Sequence, residues 1–403
     1  MKKVLFILGF IAFSLACQQT AFFTTPKAMP TSSLPTLSPG DAALTSTPSL
    51  PEEPAATEPP VPPAMPDYPP EGYGPTDFPV DVNPLTGLKV NNPQLLERRP
   101  IMVKVSNLPR LVRPQSGLSF ADIVYEYYTE EGTTRFAAIF YGQDAAKVGS
   151  IRSGRLFDAH LIPMYKSLFV FGGADQRILD RLYSTGYAKY FVLEWYVSCP
   201  AMCREPQGGY DMLFGNTQEL SAYATRKGWQ NGRQNLDGMS FQYQIPVGWV
   251  PGSGQHVYTR FSSVIYNRWD YDPASGKYIR FSETENDLDA NKEVYGQLTD
   301  ATTGLPIMAD NVVMILTPHE YYLLTPEIVD IKLGQSGTGY AFRDGHVYQV
   351  NWQHAGKESV LTLTNSDGSP FPFKPGTTWF EMMGTTSVIE QLEDGWRFRL
   401  RFP

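Results

Sequence analysis

The chain lacks a basic surplus: 33 Lys plus Arg stand against 41 Asp plus Glu, a formal charge of −8, which gives no electrostatic reason for nucleic acid to bind. It also lacks apolar runs of the roughly 20 residues that a membrane-crossing helix needs, which excludes a multi-span membrane protein. Several familiar catalytic signatures are missing as well. There is no Gly-four-residues-Gly-Lys phosphate loop, no His-Glu-x-x-His zinc helix and no Gly-x-Ser-x-Gly nucleophile elbow. The run Gly334-Gln335-Ser336-Gly337-Thr338-Gly339 is glycine-rich, but in a strand-rich region it reads as a loop rather than a phosphate cradle. None of the five histidines, His160, His256, His319, His346 and His354, sits at ligand spacing to another or to a cysteine pair, so neither a metal nor a cofactor is expected. What remains is ample apolar material: 42% hydrophobic and 13% aromatic residues exclude a wholly disordered or collagenous chain.

The N-terminus reads as an address. Lys2 and Lys3 precede an apolar run, Val4 to Ala16, that is too short to span a bilayer and ends in small side chains before Cys17. Ser14-Leu15-Ala16-Cys17 resembles the bacterial lipoprotein signal, in which the Cys is acylated and becomes the new N-terminus, although Ser14 stands where Leu is usual. The alternative is an ordinary signal peptide cleaved near Ala16. Either route exports the protein, and the lipid route leaves it extracytoplasmic and membrane-anchored. Loss of residues 1–16 takes the formal charge to −10, which disfavours contact with an anionic membrane face. Residues 18–80 hold 16 of the 34 prolines and one basic residue, Lys27, and bury too little apolar surface to offset ordering. Residues 17–80 are therefore read as a lipid-anchor Cys and a disordered stalk.

The remaining Cys199 and Cys203 form an even pair in an oxidising compartment, which favours a disulfide over a thiolate metal site or two free thiols. Residues 81–403 suffice for two domains. In 81–231, Ile101–Val105, Ile123–Tyr128, Phe136–Tyr141 and Ser167–Phe171 read as buried strands, and Ser153–Tyr165, Gln176–Ser184 and Thr217–Lys227, the last capped by Thr217, as helices. From about Gly232 short alternating segments punctuated by Asp344-Gly345, Asp367-Gly368 and Asp394-Gly395 indicate mainly antiparallel strands. The expected fold class is mixed α+β: a layered α/β N-terminal domain, 81–231, and a β-rich C-terminal domain, 232–403.

Polar residues punctuate the N-terminal strands. Arg113-Pro114-Gln115-Ser116-Gly117-Leu118-Ser119 runs into Ala121-Asp122-Ile123-Val124-Tyr125-Glu126, followed by Thr134-Arg135-Phe136 and by Gly149-Ser150-Ile151-Arg152-Ser153-Gly154-Arg155 with Asp158. Arg152 and Arg155 fall at a strand-to-helix junction, where free backbone N–H groups favour anions and guanidinium forks suit carboxylate or phosphate. Together with Asn83-Pro84-Leu85-Thr86-Gly87-Leu88, the strand from Arg99-Pro100 to Asn107, Asp310-Asn311-Val312-Val313, Gly339-Tyr340-Ala341-Phe342, Asp367-Gly368 and Pro375-Gly376-Thr377-Thr378-Trp379, these motifs resemble the YerB-like bacterial lipoproteins. The resemblance implies a two-part mixed α/β fold and carries no activity, the family's biochemical function being unknown. It points to Asn107, Arg113, Gln115, Asp122, Glu126, Arg135, Arg152, Arg155 and Asp158. The chain departs from the pattern at Ser150-Ile151, at Gly154 and at Phe171 before Gly172-Gly173, the last weakening any mechanism that needs a histidine there. Three readings follow. In the first, an arginine-lined cleft binds an anionic envelope ligand or a partner's acidic segment, unless Asp122, Glu126 and Asp158 pair those arginines internally. In the second, a wall-active hydrolase or transferase uses Glu126 and Asp158. In the third, an aromatic-rich scaffold engages envelope proteins. Trp379 is expected to be a packed strand residue.

Overall fold

The computed structural model describes residues 68–205, 211–289 and 292–402. The signal segment, Cys17 and most of the stalk lie outside them. The last part of the expected stalk does not behave as stalk: Tyr73 bridges to Phe241, Tyr68 packs edge-on against Tyr73 at 5.2 Å, and the Phe78 ring lies 6.3 Å from that of Phe241. Composition counted the prolines there and underweighted the aromatics, which have a core to join.

The strands and helices that organise the molecule are β1 (Ile101–Ser106), β2 (Ile123–Tyr128), β3 (Thr134–Phe140), α1 (Asp158–Tyr165), β4 (Leu168–Phe171), α2 (Gln176–Tyr183), β5 (Phe191–Leu193), α3 (Thr217–Arg226), β6 (His256–Arg260), β7 (Tyr266–Asp272), β8 (Lys277–Glu283), β9 (Asn311–Thr317), β10 (Ser336–Arg343), β11 (His346–Gln353), β12 (Thr378–Gly384), β13 (Val388–Gln391) and β14 (Gly395–Arg399). The fold is α+β, with strands dominating. An eleven-stranded sheet runs β11-β10-β9-β12-β2-β3-β1-β4-β5, extended beyond β11 by Gly252–Ser253 and by Thr362–Thr364. A second, seven-stranded sheet is built around β8-β7-β6-β14-β13.

The large sheet crosses the expected domain boundary. β2 pairs in parallel with β12 in the register Ile123↔Thr378, Val124↔Trp379, Tyr125↔Phe380 and Glu126↔Glu381. The C-terminal half is mainly antiparallel, as expected, with parallel neighbours also flanking β12 and β6. Every residue of β1, β2 and β12 is buried, as expected of strands covered on both faces. One face of the large sheet meets the second sheet through Trp379, whose ring lies 5.1 Å from Trp269 and 5.3 Å from Phe136, so Trp379 is a core residue. The other face is covered by α1: Phe157 and Tyr165 pack on Tyr125, which stacks on Phe380 at 4.7 Å.

Local chemistry moves three expected boundaries. α1 starts at Asp158, five residues later than the periodicity suggests, because Arg152 N–H and Gly154 N–H donate sideways to Lys104 and Gly173 carbonyls and keep that stretch extended. α3 is capped by Asn216, whose side chain accepts from Glu219 N–H at 3.1 Å; Thr217 instead donates to Asp144 at 2.6 Å. The glycine run belongs in part to β10: a Cβ on Gly337 would meet the Trp352 ring at 2.5 Å, and one on Gly339 the Met314 carbonyl at 2.4 Å. Those glycines serve close packing of the sheet.

Because the halves share one sheet, urea unfolding followed by far-UV circular dichroism and by tryptophan fluorescence is expected to give one coincident transition, and Trp379→Ala to lower stability by about 3–5 kcal/mol. Two separated transitions in the wild type would show that the seam does not couple the halves.

Candidate functional site

Strand alternation splits the candidate residues into two networks on opposite faces of the large sheet. On the face toward the second sheet, the β2–β12 register sets Glu126 beside Glu381, and Arg280 of β8 reaches between them. All three side chains have 0% exposure. Arg280 donates to Glu126 and, at 3.0 Å, to Glu381 Oε1, which also accepts from Trp269 Nε1 at 3.0 Å. The guanidinium sits among the rings of Trp379, Trp269 and Phe136 at 4.8, 5.1 and 5.4 Å. Burial, then the charge of Glu126, pushes Glu381 well above the usual carboxylate range. With a proton held there, the triad carries one positive and one negative charge.

Glu126 is held further by Asn107 Nδ2 at 3.1 Å, Thr134 Oγ1 at 2.6 Å and Asn267 Nδ2 at 3.2 Å. Asn107 Oδ1 in turn accepts from Arg113 Nε and Nη2, at 3.1 and 2.8 Å, and Arg113 Nη2 reaches Glu283 Oε1 at 2.7 Å. Gln115 donates to the Ser106 carbonyl at 3.1 Å. Asn107, Arg113, Gln115 and Glu126 are therefore one buried assembly, joined to residues of the second sheet.

On the opposite face, Lys104 Nζ lies over the Tyr127 ring at 3.7 Å and 3.4 Å from Asp158 Oδ1, while Tyr127 Oη donates to the same oxygen. Asp158 Oδ2 accepts from Arg155 N–H at 2.7 Å, so the start of α1 carries its own carboxylate where the sequence suggested room for a ligand. Burial lowers the Lys104 pKa to about 7, against the pull of Asp158. Nearer the surface, Arg155 forks onto Glu130, Arg135 donates to Glu130 at 3.2 Å and to the Ser153 carbonyl at 2.7 Å, and Arg152 meets Asp211 at 3.0 Å. Arg135, Arg155 and Arg152 keep 12%, 13% and 20% of their side-chain surface exposed. Burial and the neighbouring charges of Arg155 and Arg152 bring Arg135 down to about 9, even with Glu130 beside it.

All members of these networks except Glu381, one residue past the second match, lie within the segments that carry the sequence pattern of two family domains. Residues 85–230 match the domain described as protein of unknown function (DUF3048) N-terminal domain, and 257–380 match its C-terminal domain. A Bacillus subtilis (strain 168) protein named "Putative lipoprotein YerB" is 30% identical over 318 residues, 74% of this chain and 85% of that protein. The crystal structure of the YerB protein from Bacillus subtilis superposes with a TM-score of 0.60 at 27% identity, covering 75% of this chain and 96% of that one. The chain belongs to this family. The family's function is unknown, so the YerB-like fold brings no activity with it.

Among the YerB-like candidates, Asp122 stands apart from both networks: it accepts from Asn83 Nδ2 at 2.9 Å, Gly142 N–H at 3.0 Å and Tyr141 N–H, and burial raises its carboxyl to about 6. It ties β2 to the end of β3. The four arginines do not share one cleft, since Arg113 lies on the face opposite Arg135, Arg152 and Arg155. Glu126 and Asp158 also lie on opposite faces, each wholly buried. Cys199 and Cys203 are bonded to each other. Among the described residues no helix is long and apolar enough to cross a membrane, and no three His, Cys, Asp or Glu side chains converge as a metal shell would.

Sequence reasoning missed Lys104, Tyr127, Glu130, Arg280 and Glu381. Lys104 and Glu381 were visible as lone charges inside apolar strands, Ile-Met-Val-Lys-Val and Trp-Phe-Glu-Met-Met. Such charges need buried partners.

Lys104 yields a pH signature with a definite sign. Its folded pKa lies near 7 and its unfolded value near 10.5, so between these the unfolded chain binds the extra proton and stability rises with pH. Urea titrations at pH 7, 8 and 9 should show a gain of up to about 1.4 kcal/mol per pH unit that Lys104→Met loses. Parallel profiles for the two proteins would refute the assignment. Arg280→Met should cost about 3–5 kcal/mol by leaving buried carboxylate charge uncompensated, whereas Arg152→Ala should cost under about 1.

Proposed function

We propose that this protein is held outside the cytoplasmic membrane by a lipid on Cys17, and that its folded body is an envelope-binding module for an anionic ligand. The relative's name as a lipoprotein and the Ser14-Leu15-Ala16-Cys17 segment support the anchor.

The observation that carries the reading is a surplus of positive charge at one partly exposed place. Arg135, Arg152 and Arg155 bring three guanidinium groups against the carboxylates of Glu130 and Asp211, while Lys104 beneath them is matched by Asp158. Burial does most to depress the Arg135 pKa, and the neighbouring charges of Arg155 and Arg152 add to it. An added carboxylate or phosphate would relieve the like-charge contacts and take up guanidinium donors in two-pronged bonds. Trp195 lies beside the patch against Gly173 and is 67% exposed, offering an apolar shoulder to a ligand with a non-polar part. The hydrolase reading has no comparable support, because neither Glu126 nor Asp158 presents surface to a substrate.

Co-sedimentation of the detergent-solubilised protein with isolated cell-wall material, in an excess of free N-acetylglucosamine hexamer and cellohexaose that saturates any uncharged sugar contact, tests the proposal. Wild type should bind at low salt and release at high salt, and Arg152→Ala plus Arg155→Ala should bind at least about tenfold more weakly while remaining folded. Salt-insensitive binding, or equal binding by the double variant, would overturn it, and capture of a defined envelope protein by the patch would replace the polymer with a protein partner.

A further inference from the structure

A second candidate cavity lies far from the arginine patch in the chain and differs from it in chemistry. It is a groove of about 780 Å³ between the outer end of the β10–β11 hairpin and the β13–β14 hairpin. Its lining contains no charged residue, although charged residues make up 18% of the chain. Instead it offers aromatic rings and neutral polar side chains.

The strand registers explain the arrangement. Tyr340 pairs with Gln349 and Thr338 with Asn351, so these four side chains share one face of the hairpin. One step further along that face Phe342 is buried against Phe398, which closes the space between the sheets; beyond it the sheets part and the groove opens. Tyr340 is half-buried, with its ring 5.0 Å from that of Trp396. Trp396 is fixed by a hydrogen bond from Nε1 to the Ser253 carbonyl at 3.1 Å, yet remains partly exposed. Around the β11 edge, on the side toward which Tyr348 points, Trp249 is held edge-on by Phe371 at 5.3 Å and Tyr348 at 6.0 Å and adds a partly exposed ring to the lining. The strands on the outer side of β11 pair with residues 346–347 and 351–353, leaving the stretch 348–350 between them without a ladder partner. A gap of three residues is too short to accept an added strand but can offer backbone groups to hydroxyls.

We infer that this groove binds a neutral oligosaccharide. Sugar rings present C–H faces that stack on aromatic side chains and hydroxyls that both donate and accept, and primary amides and threonine hydroxyls match them in both roles. A charged polymer would find no counter-charge in the lining, and an apolar ligand would leave Gln349, Asn351 and Gln391 desolvated and unpaired. The volume falls in the upper part of the range of about 300–1,000 Å³ typical of ligand sites, which suits several linked rings better than one. The site is independent of the arginine patch, and one can fail without the other.

Titration of the full chain with N-acetylglucosamine hexamer and with cellohexaose, followed by tryptophan fluorescence and calorimetry, tests the inference. At least one should bind saturably in the micromolar to millimolar range, equally at low and high salt. Trp396→Ala should weaken binding at least about tenfold, and Gln349→Ala plus Asn351→Ala, which removes two polar side chains outside the core, should do the same with an unchanged melting temperature. Arg152→Ala plus Arg155→Ala should bind as wild type. No saturable response to either sugar, binding that falls with salt, or binding that survives the Gln349/Asn351 double substitution would overturn it.

Discussion

The Glu126–Arg280–Glu381 triad is the constraint on which the architecture depends. Each member comes from a different part of the chain: β2 in the N-terminal half, β8 in the second sheet and β12 near the C-terminus. Their burial is tolerable only if all three strands are in register at once. A one-residue slip of β12 against β2 would turn both Glu381 and Trp379 to the α1 face and leave Arg280 with one carboxylate and one covering ring fewer. The aromatic box around the guanidinium excludes water and raises the cost of any such error. Specificity of assembly is the natural role of this network, since a well-packed apolar replacement of such ions can be as stable.

The same strand alternation accounts for what the sequence could and could not tell. Ile123–Tyr128 is legible as a buried strand because its residues are aromatic or β-branched on both faces, and Asp344-Gly345 is legible as a hairpin turn because both residues take positive φ there. A list of nine polar candidates gathered by motif hides the fact that neighbours in a strand point apart. Glu126 and Tyr127, or Thr134 and Arg135, are adjacent in sequence and belong to opposite faces of the sheet. Parity along β2 and β3 would have separated the networks in advance. The partners from afar could not be read this way: Arg280 and Glu283 meet Glu126 and Arg113 across more than 150 residues, and nothing local marks them. The late start of α1 was also hidden, because the amides that leave it are recruited by strands distant in sequence.

The charged residues most visible in the sequence are thus mostly committed to holding the molecule together. Glu126 and Asp158 are consumed by partners on every side, and Asp122 accepts three N–H groups that close a turn. At 0% exposure, Glu126 and Asp158 lack the substrate contact that acid–base catalysis requires. Where charge does reach solvent, at Arg135, Arg152 and Arg155, three guanidinium groups meet the carboxylates of Glu130 and Asp211 among the described residues.

An unresolved polar demand of a different kind sits at the far end of the large sheet. The β10–β11 hairpin extends past the point where Phe342 and Phe398 seal the two sheets, so its inner face emerges from the core still carrying core-type spacing but with Thr338, Tyr340, Gln349 and Asn351 in place of aliphatic residues. A strand end meant only to face water has no need of rings fixed by Trp396 Nε1 and Phe371. A strand end meant only to pack would not keep amides there. Ordered rings beside neutral hydrogen-bonding groups make sense together as a preorganised surface, since aromatic side chains already immobilised by the fold lose little further freedom when a ligand stacks on them. The two proposed sites would therefore differ in chemistry, charge at the α1 end of the sheet and neutral polarity at the β11 edge.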